Sequence, residues 1–388
     1  MHICFLCNEY PPAPHGGVGT FTQTLGRALV RRGHQVTVVG IGAGRQVSNG
    51  SSYDDHGVRV IGINGGRIPR IRAISSHVSL RSVLRRIHTE SQIDVLEGPE
   101  LCLSLLPRRF LGTKVIRMHG GHHFFCAELG HQRKPLRSWL ERRSFRNADH
   151  LAAVSQHVAG VTSKLLGLRD QVIEILPNPV DTLRFAPQTS VTEVPFRILF
   201  VGTVCEKKGV RQLLLAMPSI LERESRAHLQ IAGRDWCDPF TGESYTEKMQ
   251  QLASQIAPGR VEFLGATKNS DLPQLLSAAS VCVMPSHSEA MPLAWLEALA
   301  AGRPLVVSKS GPGPEVVEDR VSGLLCDPHD PESIASCVST LLSAPDMRQR
   351  LSQAARRRAV ELFSVEAIVT QNEKFYSRCV GQRRVHIN

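Results

Sequence analysis

The sequence predicts an α/β protein with two consecutive, doubly wound parallel sheets. Three observations support this fold class. A chain of 388 residues exceeds what one hydrophobic core usually supports. Short apolar runs alternate with helix-periodic stretches, as a parallel sheet with crossover helices requires. This alternation is interrupted in a polar, Pro-rich stretch, 176–193, and then begins again.

The first strand-helix-strand unit is clear. A predicted strand at Ile3–Cys7 leads through a Pro/Gly loop to a helix whose Phe21, Leu25 and Leu29 share one face. Gly33 is expected to end this helix before the next strand. The remaining strands of this half are predicted at Val36–Val39, Val58–Ile63, Val95–Leu96, Lys114–Met118 and His150–Val154.

The second series of elements follows residues 177–181, Pro-Asn-Pro-Val-Asp. We place the domain boundary after residue 182 and the end of the second domain at residue 362. Ser364 is the expected N-cap of a last helix. Strands of the second domain are predicted at Ile198–Val201, Leu229–Ala232, Val261–Leu264, Val281–Met284 and Leu305–Val307.

Composition narrows the class of protein. Hydrophobic residues make up 42% and charged residues 21% of the chain, as in an ordinary soluble protein without low-complexity tracts. The apolar run at the N-terminus is too short for a secretory signal or a membrane span. Cys4, Cys7 and Cys282 lie in apolar strand-like runs, where a thiol behaves as a small hydrophobe. We therefore expect a cytoplasmic protein.

The formal net charge of +11 fits nucleic acid, an anionic membrane or a phosphorylated ligand. Neither an aromatic-rich RNA-binding signature nor a zinc-finger spacing is present, so no nucleic-acid partner is expected. Basic residues cluster within 133–146, interleaved with Trp139, Leu140 and Phe145. Two interpretations stay open: a solvated helix face, or an acceptor-side or membrane-surface patch at the inner face of the membrane. The cluster consists of Arg133, Lys134, Arg137, Arg142, Arg143 and Arg146.

Two glutamates frame a predicted helix start after the strand Val281–Met284. Glu289 lies in the loop and Glu297 inside the helix. Free N–H groups at a helix start bind anions, and a carboxylate accepts hydrogen bonds from two neighbouring hydroxyls. Spacing alone leaves open that both glutamates are merely solvated. Pro292 suits the first turn of this helix. Substrate contacts are expected at Met291, Pro292 and Leu293.

A lysine-containing loop follows the strand Ile198–Val201. It spans Gly202–Gly209 and carries Lys207 and Lys208. A lysine there is a point charge suited to a diphosphate, although Lys-Lys-Gly is also a common surface turn.

A glycine-rich loop lies between the first strand and the first helix. At Gly16 and Gly17 the absence of side chains would let the backbone approach a ligand closely. The full G-x-G-x-x-G pattern is absent, so the loop alone fits many nucleotide-binding enzymes.

Together these motifs resemble the retaining glycosyltransferases of family 4, which have the GT-B fold. The resemblance covers nearly the whole chain and includes 177–181, 311–315 (Gly-Pro-Gly-Pro-Glu) and 323–325 (Gly-Leu-Leu). It implies two Rossmann-like domains that face each other across a cleft. Residues 1–182 would form the acceptor side, 183–362 would bind the nucleotide-sugar donor, and 363–388 would form a helix crossing back to the first domain.

The resemblance also implies residue roles. In this family the first glutamate of the pair contacts the transferred sugar, the second contacts the ribose, and the lysine contacts the diphosphate. By motif position these residues are Glu289, Glu297 and Lys208. A histidine after a strand of the N-terminal domain lies near the reacting anomeric centre. His119 is expected to take that role, with His122 as a rival, so the predicted catalytic residues are His119, Glu289 and Lys208.

One departure from the family pattern affects the phosphate site. The family usually has an arginine directly after the glycine that opens the lysine loop, and here that position is Thr203. Lys208 would then balance the diphosphate with help from Lys207 or Arg234. We therefore include Thr203, Lys207 and Arg234 among the substrate-binding residues.

Other departures concern the linker, the acceptor side and metals. Pro179 replaces a usual glycine, and Glu97 and Glu100 lie at a strand end where acceptor contacts would fall. No D-x-D motif occurs, and residues 54–56, Asp-Asp-His, are expected to form a polar turn. Neither a metal nor a cofactor is expected, the nucleoside-diphosphate sugar being a co-substrate.

The implied activity is retaining, metal-independent transfer of a sugar from a nucleoside-diphosphate donor to a hydroxyl acceptor. The basic surface favours a lipid-linked or phosphorylated acceptor, as in polysaccharide or glycoconjugate biosynthesis. A nicotinamide oxidoreductase would need a ribose-binding acid after the second strand, and residues 40–45 offer none. A GT-B sugar-nucleotide epimerase and a non-catalytic nucleotide-sugar-binding protein stay as alternatives.

Overall fold

The computed structural model describes residues 1–13, 15–41, 52–63 and 72–387. The chain divides into two compact units. Unit 1 consists of Met1–Pro179 and Val365–Asn388, and unit 2 consists of Val180–Ser364. The sequence placed the corresponding boundaries after residues 182 and 362.

Unit 1 contains a sheet whose described strands are β1 (His2–Leu6), β2 (Gln35–Ile41), β3 (Ser52–Asp55), β4 (Val58–Ile63), β5 (Val95–Gly98), β6 (Thr113–Met118), β7 (His150–Ala153) and β8 (Ile173–Ile175). Their order is β3-β4-β2-β1-β5-β6-β7-β8. Every neighbouring pair is parallel except β3 with β4. Strand order therefore reverses next to β1, where open α/β sheets bind ligands.

The described helices between these strands are α1 (Gly17–Arg31), α2 (Arg72–Glu90), α3 (His122–Glu128), α4 (Pro135–Asn147) and α5 (Gln156–Leu166). The predicted apolar face of α1 is buried: Phe21, Leu25 and Leu29 belong to the core with Ile3 and Val36 from the sheet. This spacing of four residues places the three side chains on one face. Hydrophobic burial therefore fixes α1 on the sheet.

Residues 54–56 form the predicted polar turn only in part, since His56 alone of the three lies in a turn. Asp54 and Asp55 lie on β3, the antiparallel edge strand, whose side chains alternate between exposed and half-buried. A strand this polar gives no apolar signal in the sequence. The carboxylate of Asp55 is held by Arg27, Tyr10 and Gln23, so it acts as a structural ion-pair partner.

Unit 2 contains a parallel sheet whose strands are β9 (Arg197–Val201), β10 (His228–Ala232), β11 (Val261–Gly265), β12 (Val281–Met284), β13 (Leu305–Ser308) and β14 (Leu324–Cys326). Their order is β11-β10-β9-β12-β13-β14. The five strands predicted for this half occur at nearly the same bounds, and β14 is additional. The ends of β9 and β12 are neighbours, which brings two of the predicted substrate loops together.

The described helices of unit 2 are α6 (Val210–Arg223), α7 (Tyr245–Ile256), α8 (Leu272–Ser277), α9 (Leu293–Ala300), α10 (Gly313–Val316), α11 (Pro331–Ser343) and α12 (Pro345–Arg358). Short 3-10 and π turns occur at Glu206–Lys208 and Ala359–Phe363. Within the described ranges of the chain, no helix is both long enough and apolar enough to span a membrane.

The last helix, α13 (Val365–Ile387), packs in unit 1. Its Phe375 and Tyr376 are buried in the core of that unit. Arg117 on β6 forms a buried ion pair with Glu97 on β5, and the hydroxyl of Tyr376 donates to Glu97 Oε2 over 2.8 Å. This polar cluster joins α13 to β5 and β6.

Candidate active site

The loop after β12 carries Glu289 and leads into α9. Glu289 is 7% exposed, and Met291 and Pro292 are also buried. Pro292 is the N-cap, with an extended ψ of 125°, and the helix begins at Leu293. The expectation that Pro292 lies inside the first turn was therefore wrong by one position. The N-terminal end of α9 nevertheless directs its unpaired N–H groups toward the side of this loop.

The lysine loop after β9 contacts the glutamate loop directly. The ammonium group of Lys208 forms a salt bridge with Oε1 of Glu289. Burial raises the pKa of Glu289, but the charges of Lys208 and Lys207 outweigh it, so the pKa lies below its ordinary value. Glu289 is therefore a carboxylate at neutral pH, and both lysines of the loop act on it.

Two further contacts fix the lysine loop against the loop after β12. The N–H of His287 donates to the carbonyl of Lys207 over 2.8 Å. Gly209 has a φ of +71°, and a Cβ atom at this position would lie 2.0 Å from the carbonyl oxygen of Pro285. Only glycine permits this approach. The sequence analysis identified Gly209 as the end of the lysine loop, but nothing in the sequence indicated that it packs against Pro285.

Glu297 lies within α9 and is half-buried. Burial raises the pKa of its carboxyl to about 7, while the positive charge of Arg184 opposes the shift. The predicted ribose contact is therefore a group that titrates near neutral pH.

Thr203 and Arg234 lie beside each other at the ends of β9 and β10. Arg234 is exposed, and its Nε donates to Oγ1 of Thr203 over 3.4 Å. The two strand-end loops approach closely because Gly233 leaves room for the carbonyl of Gly202, which a Cβ would meet at 1.7 Å. A guanidinium group thus lies next to the position at which the family usually has arginine.

His119 follows β6 in unit 1. Its ring packs edge-on against Phe21 at 4.8 Å between centroids, and its backbone N–H donates to Oε1 of Glu100 over 2.7 Å. Burial, assisted by the charge of Arg117, lowers the pKa of His119 to about 3. The imidazole is therefore neutral at physiological pH.

The rival, His122, begins α3, and its Nε2 accepts a hydrogen bond from the N–H of Lys134 over 3.0 Å. The next residue, His123, was not singled out in the sequence. It is buried, and its ring and N–H both contact the carboxylate of Glu141 on α4. Gly121 packs against the same carboxylate, since a Cβ there would lie 1.9 Å from Oε1. Helix α4 therefore holds the segment that carries His119.

The two glutamates at the end of β5 have different surroundings. Glu97 belongs to the ion pair with Arg117 and is 1% exposed, so the expectation of an acceptor contact at Glu97 was wrong. Its charge is needed to balance a buried guanidinium. Burial raises the pKa of Glu100 to about 8. Its carboxyl group accepts the hydrogen bond from the backbone N–H of His119.

The glycine-rich loop forms the start of α1, with Gly16 as N-cap. The N–H of Gly19 donates to Oε1 of Glu9 over 3.1 Å, and a Cβ at Gly19 would meet the Glu9 carbonyl at 1.9 Å. The backbone at Gly19 therefore approaches Glu9 of the same chain closely, and the ligand contacts predicted at Gly16 and Gly17 stay predictions. A Cβ at Gly17 would meet nothing within 4 Å, which leaves that position open.

Family profiles of glycosyltransferases match both halves of the chain. The profile described as Glycosyltransferase Family 4 matches residues 15–184, and the profile described as Glycosyl transferases group 1 matches residues 183–358. The chain belongs to the family 4 glycosyltransferases. The two profiles meet at the linker, so the match to this glycosyltransferase family extends across both units.

Individual glycosyltransferases are similar over nearly the whole length. Glycogen synthase of Mycobacterium tuberculosis is 28% identical, with 97% of this chain and 94% of the relative covered. The GDP-mannose-dependent alpha-(1-6)-phosphatidylinositol monomannoside mannosyltransferase of Mycolicibacterium smegmatis is 26% identical, with 92% and 94% covered.

Solved structures show the same GT-B fold. Sucrose-phosphate synthase of Thermosynechococcus elongatus matches with a TM-score of 0.84 at 22% identity, covering 98% of this chain and 99% of that one. Anabaena HepE in complex with UDP and glucose matches with a TM-score of 0.76 at 18% identity, covering 97% and 100%. The glycosyltransferase described here therefore consists of two α/β units of the GT-B type.

Proposed function

We propose that this glycosyltransferase is a retaining, metal-independent enzyme that moves a hexosyl group from a nucleoside-diphosphate sugar to a hydroxyl acceptor. The observation that carries the proposal is the contact of Lys208 with Glu289 beside the start of α9. A cation suited to a diphosphate and a carboxylate suited to sugar hydroxyls lie side by side.

In this proposal the unit 2 loops stabilise the leaving group. Negative charge grows on the diphosphate as the bond from its oxygen to the anomeric carbon breaks. Lys208, the N–H groups at the start of α9 and the neighbouring Lys207 and Arg234 would stabilise that charge. These groups need no metal ion for the purpose. Glu297 would bind the ribose hydroxyls.

Retention follows if the acceptor attacks from the face that the diphosphate leaves. The acceptor oxygen forms a bond to the anomeric carbon, and the departing phosphate oxygen takes the acceptor proton. Glu289, ionised because its pKa is lowered, would accept hydrogen bonds from hydroxyls of the transferred sugar. His119, neutral because its pKa is about 3, would contribute a hydrogen bond near the anomeric centre without adding charge.

We further propose a cytoplasmic role in polysaccharide or glycoconjugate synthesis, with a lipid-linked or phosphorylated acceptor. The net charge of +11 favours an anionic acceptor. The mannosyltransferase relative is named for a phosphatidylinositol acceptor, which supports a lipid-linked acceptor here.

A donor screen tests the proposal. UDP-glucose and GDP-mannose come first, because a related structure contains UDP and glucose and a relative is named GDP-mannose-dependent. A bound donor raises the melting temperature by mass action. We expect that shift together with release of nucleoside diphosphate on addition of acceptor. We also expect the anomeric configuration of the product, read by NMR, to match that of the donor.

Other outcomes would identify the alternatives. A melting-temperature shift without turnover on any acceptor would indicate a binding protein. Conversion of the donor into an isomeric sugar nucleotide without acceptor would indicate an epimerase. A product of inverted configuration would contradict the retaining mechanism alone.

A further inference from the structure

One face of α4 in unit 1 is exposed and combines apolar with basic side chains. Five side chains of α4 are spaced three, three, one and three positions apart, which places them on one side of the helix. They are Leu136, Trp139, Arg142, Arg143 and Arg146. Leu136 is 69% exposed and Trp139 is 53% exposed. We call these five residues the basic face.

The positive charge of this region is uncompensated. Six exposed cations lie within 133–146, and in the described part of the chain none of them takes part in an ion pair. Arg142 and Arg143 donate only to the neutral carbonyls of Leu165 and Ser104. The acidic residue of α4, Glu141, is buried on the opposite side. Such a surface attracts a polyanion.

We propose that the basic face of α4 binds the surface of an anionic membrane. Arginines would contact lipid phosphates, while Trp139 and Leu136 would enter the boundary between headgroups and acyl chains. The aliphatic Leu136 decides against nucleic acid, because a phosphodiester backbone offers no apolar layer to cover it. Trp139 has the amphipathic ring that is favoured at membrane interfaces.

The opposite face of α4 connects this surface to the candidate active site. Glu141 contacts the ring and backbone of His123, and the N–H of Lys134 donates to His122. Both histidines belong to the segment that begins with His119. Membrane binding would therefore hold that segment close to the lipid surface. This consequence for a lipid-linked acceptor rests on the proposed function, whereas membrane binding itself does not.

Vesicle co-sedimentation of the full chain tests the proposal without any sugar donor. We expect binding to vesicles of phosphatidylglycerol mixed with phosphatidylcholine, little binding to phosphatidylcholine alone, and a decline with added salt. Arg142→Ala/Arg146→Ala, which removes two arginines of the basic face, should weaken partitioning about 30-fold, at about one fivefold factor per charge. Arg350→Ala/Arg357→Ala, two exposed arginines on α12 of unit 2, is the matched control and should bind like the wild type.

Tryptophan fluorescence gives a second measurement. In a Trp236→Phe variant the remaining tryptophans are Trp139 and the buried Trp295. A blue shift on addition of the anionic vesicles would then report that Trp139 leaves water.

Three results would overturn the proposal: equal binding to both vesicle types, equal loss in the two arginine variants, or vesicle binding without a blue shift. Binding to a duplex oligonucleotide but not to vesicles would assign the face to nucleic acid. Each of these results leaves the donor screen unaffected.

Discussion

Lys208 donates to Glu289 although the two residues lie 81 positions apart in the sequence. They meet because β9 and β12 are adjacent parallel strands, so the loops after them leave the sheet at the same edge. The pair unites a predicted diphosphate contact with a predicted sugar contact. A substitution at either residue should therefore remove a charge from the site and also release the side chain of the other residue from its salt bridge.

Lys208→Ala should lower turnover more than donor affinity. A cation directed at a growing negative charge stabilises the transition state more than the ground state. Loss of one such contact costs about 2.7–4 kcal/mol, or roughly a hundred- to a thousandfold in kcat. Lys207→Ala is the matched variant and should have a much smaller effect, because Lys208 makes the direct contact with Glu289. Equal, small effects in steady-state kinetics would mean that the diphosphate binds elsewhere.

Gly209→Ala should have two effects on the lysine loop. It forces a non-glycine residue into a left-handed backbone conformation, and its Cβ clashes with the Pro285 carbonyl. Gly259 supplies the control, since its φ is +69° against +71° at Gly209 but a Cβ there would meet nothing within 4 Å. Gly259→Ala should cost about 1–2 kcal/mol of stability and leave kcat/KM unchanged. Gly209→Ala should cost more and reduce kcat/KM, because the Pro285 carbonyl must move. Identical kinetics for the two variants would show that the clash is relieved without displacing Lys208.

Glu297→Gln should change the pH dependence of stability. The folded-state pKa of about 7 lies above the ordinary value of 4.5 for a glutamate carboxyl, so the wild type loses stability as pH rises from 4.5 to 7. The glutamine variant lacks this loss. Its melting temperature relative to the wild type should rise across that window, by the equivalent of at most about 3 kcal/mol. A difference that does not vary between pH 4.5 and 8 would place the pKa near its ordinary value.

Nucleotide binding tests the proposed ribose contact at the same residue. Calorimetry with the free nucleoside diphosphate should show weaker binding to Glu297→Ala than to the wild type, because two ribose hydroxyls lose their acceptor. An unchanged dissociation constant would exclude the ribose role.

Chelators should leave turnover intact. The cationic groups around Lys208 are expected to stabilise the diphosphate without a divalent ion. Activity is measured with and without EDTA, using a donor found in the thermal-shift screen. Activity abolished by EDTA and restored by magnesium or manganese would contradict metal independence.

Arg117→Leu should loosen α13. The substitution leaves Glu97 buried without its guanidinium partner, which typically costs about 3–5 kcal/mol. Amide exchange in Val365–Ile387, followed by mass spectrometry, should become faster. The double variant Glu97→Leu/Arg117→Leu removes both charges and should recover most of the protection. If it recovers none, packing at Arg117 matters more than charge.

The sequence predicted the fold in detail where apolar periodicity was strong. The strands of unit 2 from Arg197 to Ser308 and the buried face of α1 were placed correctly because burial dictates both patterns. The edge strand β3 was missed because its residues are mostly polar and give no apolar signal. β8 and β14 are three residues each, too short to show a period.

The sequence indicates candidate residues for the site but not the contacts among them. Motif positions identified Lys208 and Glu289, yet nothing in the sequence indicates that Gly209 accommodates the Pro285 carbonyl or that Glu141 holds His123. Those relationships depend on which strands become neighbours. Glu97 shows the converse, since a strand-end acid resembles a ligand until the buried Arg117 opposite it is known.

The chain enters and leaves unit 2 at one point, where the N–H of Val180 donates to the Phe363 carbonyl over 2.8 Å and Val180 pairs with Ser364. Unit 2 is therefore an insertion between the body of unit 1 and α13. On the ribosome, unit 2 is complete before α13 has been synthesised. The strands of unit 1 in a nascent chain must therefore persist without the hydrogen bond from the Tyr376 hydroxyl to Glu97 until α13 has been made.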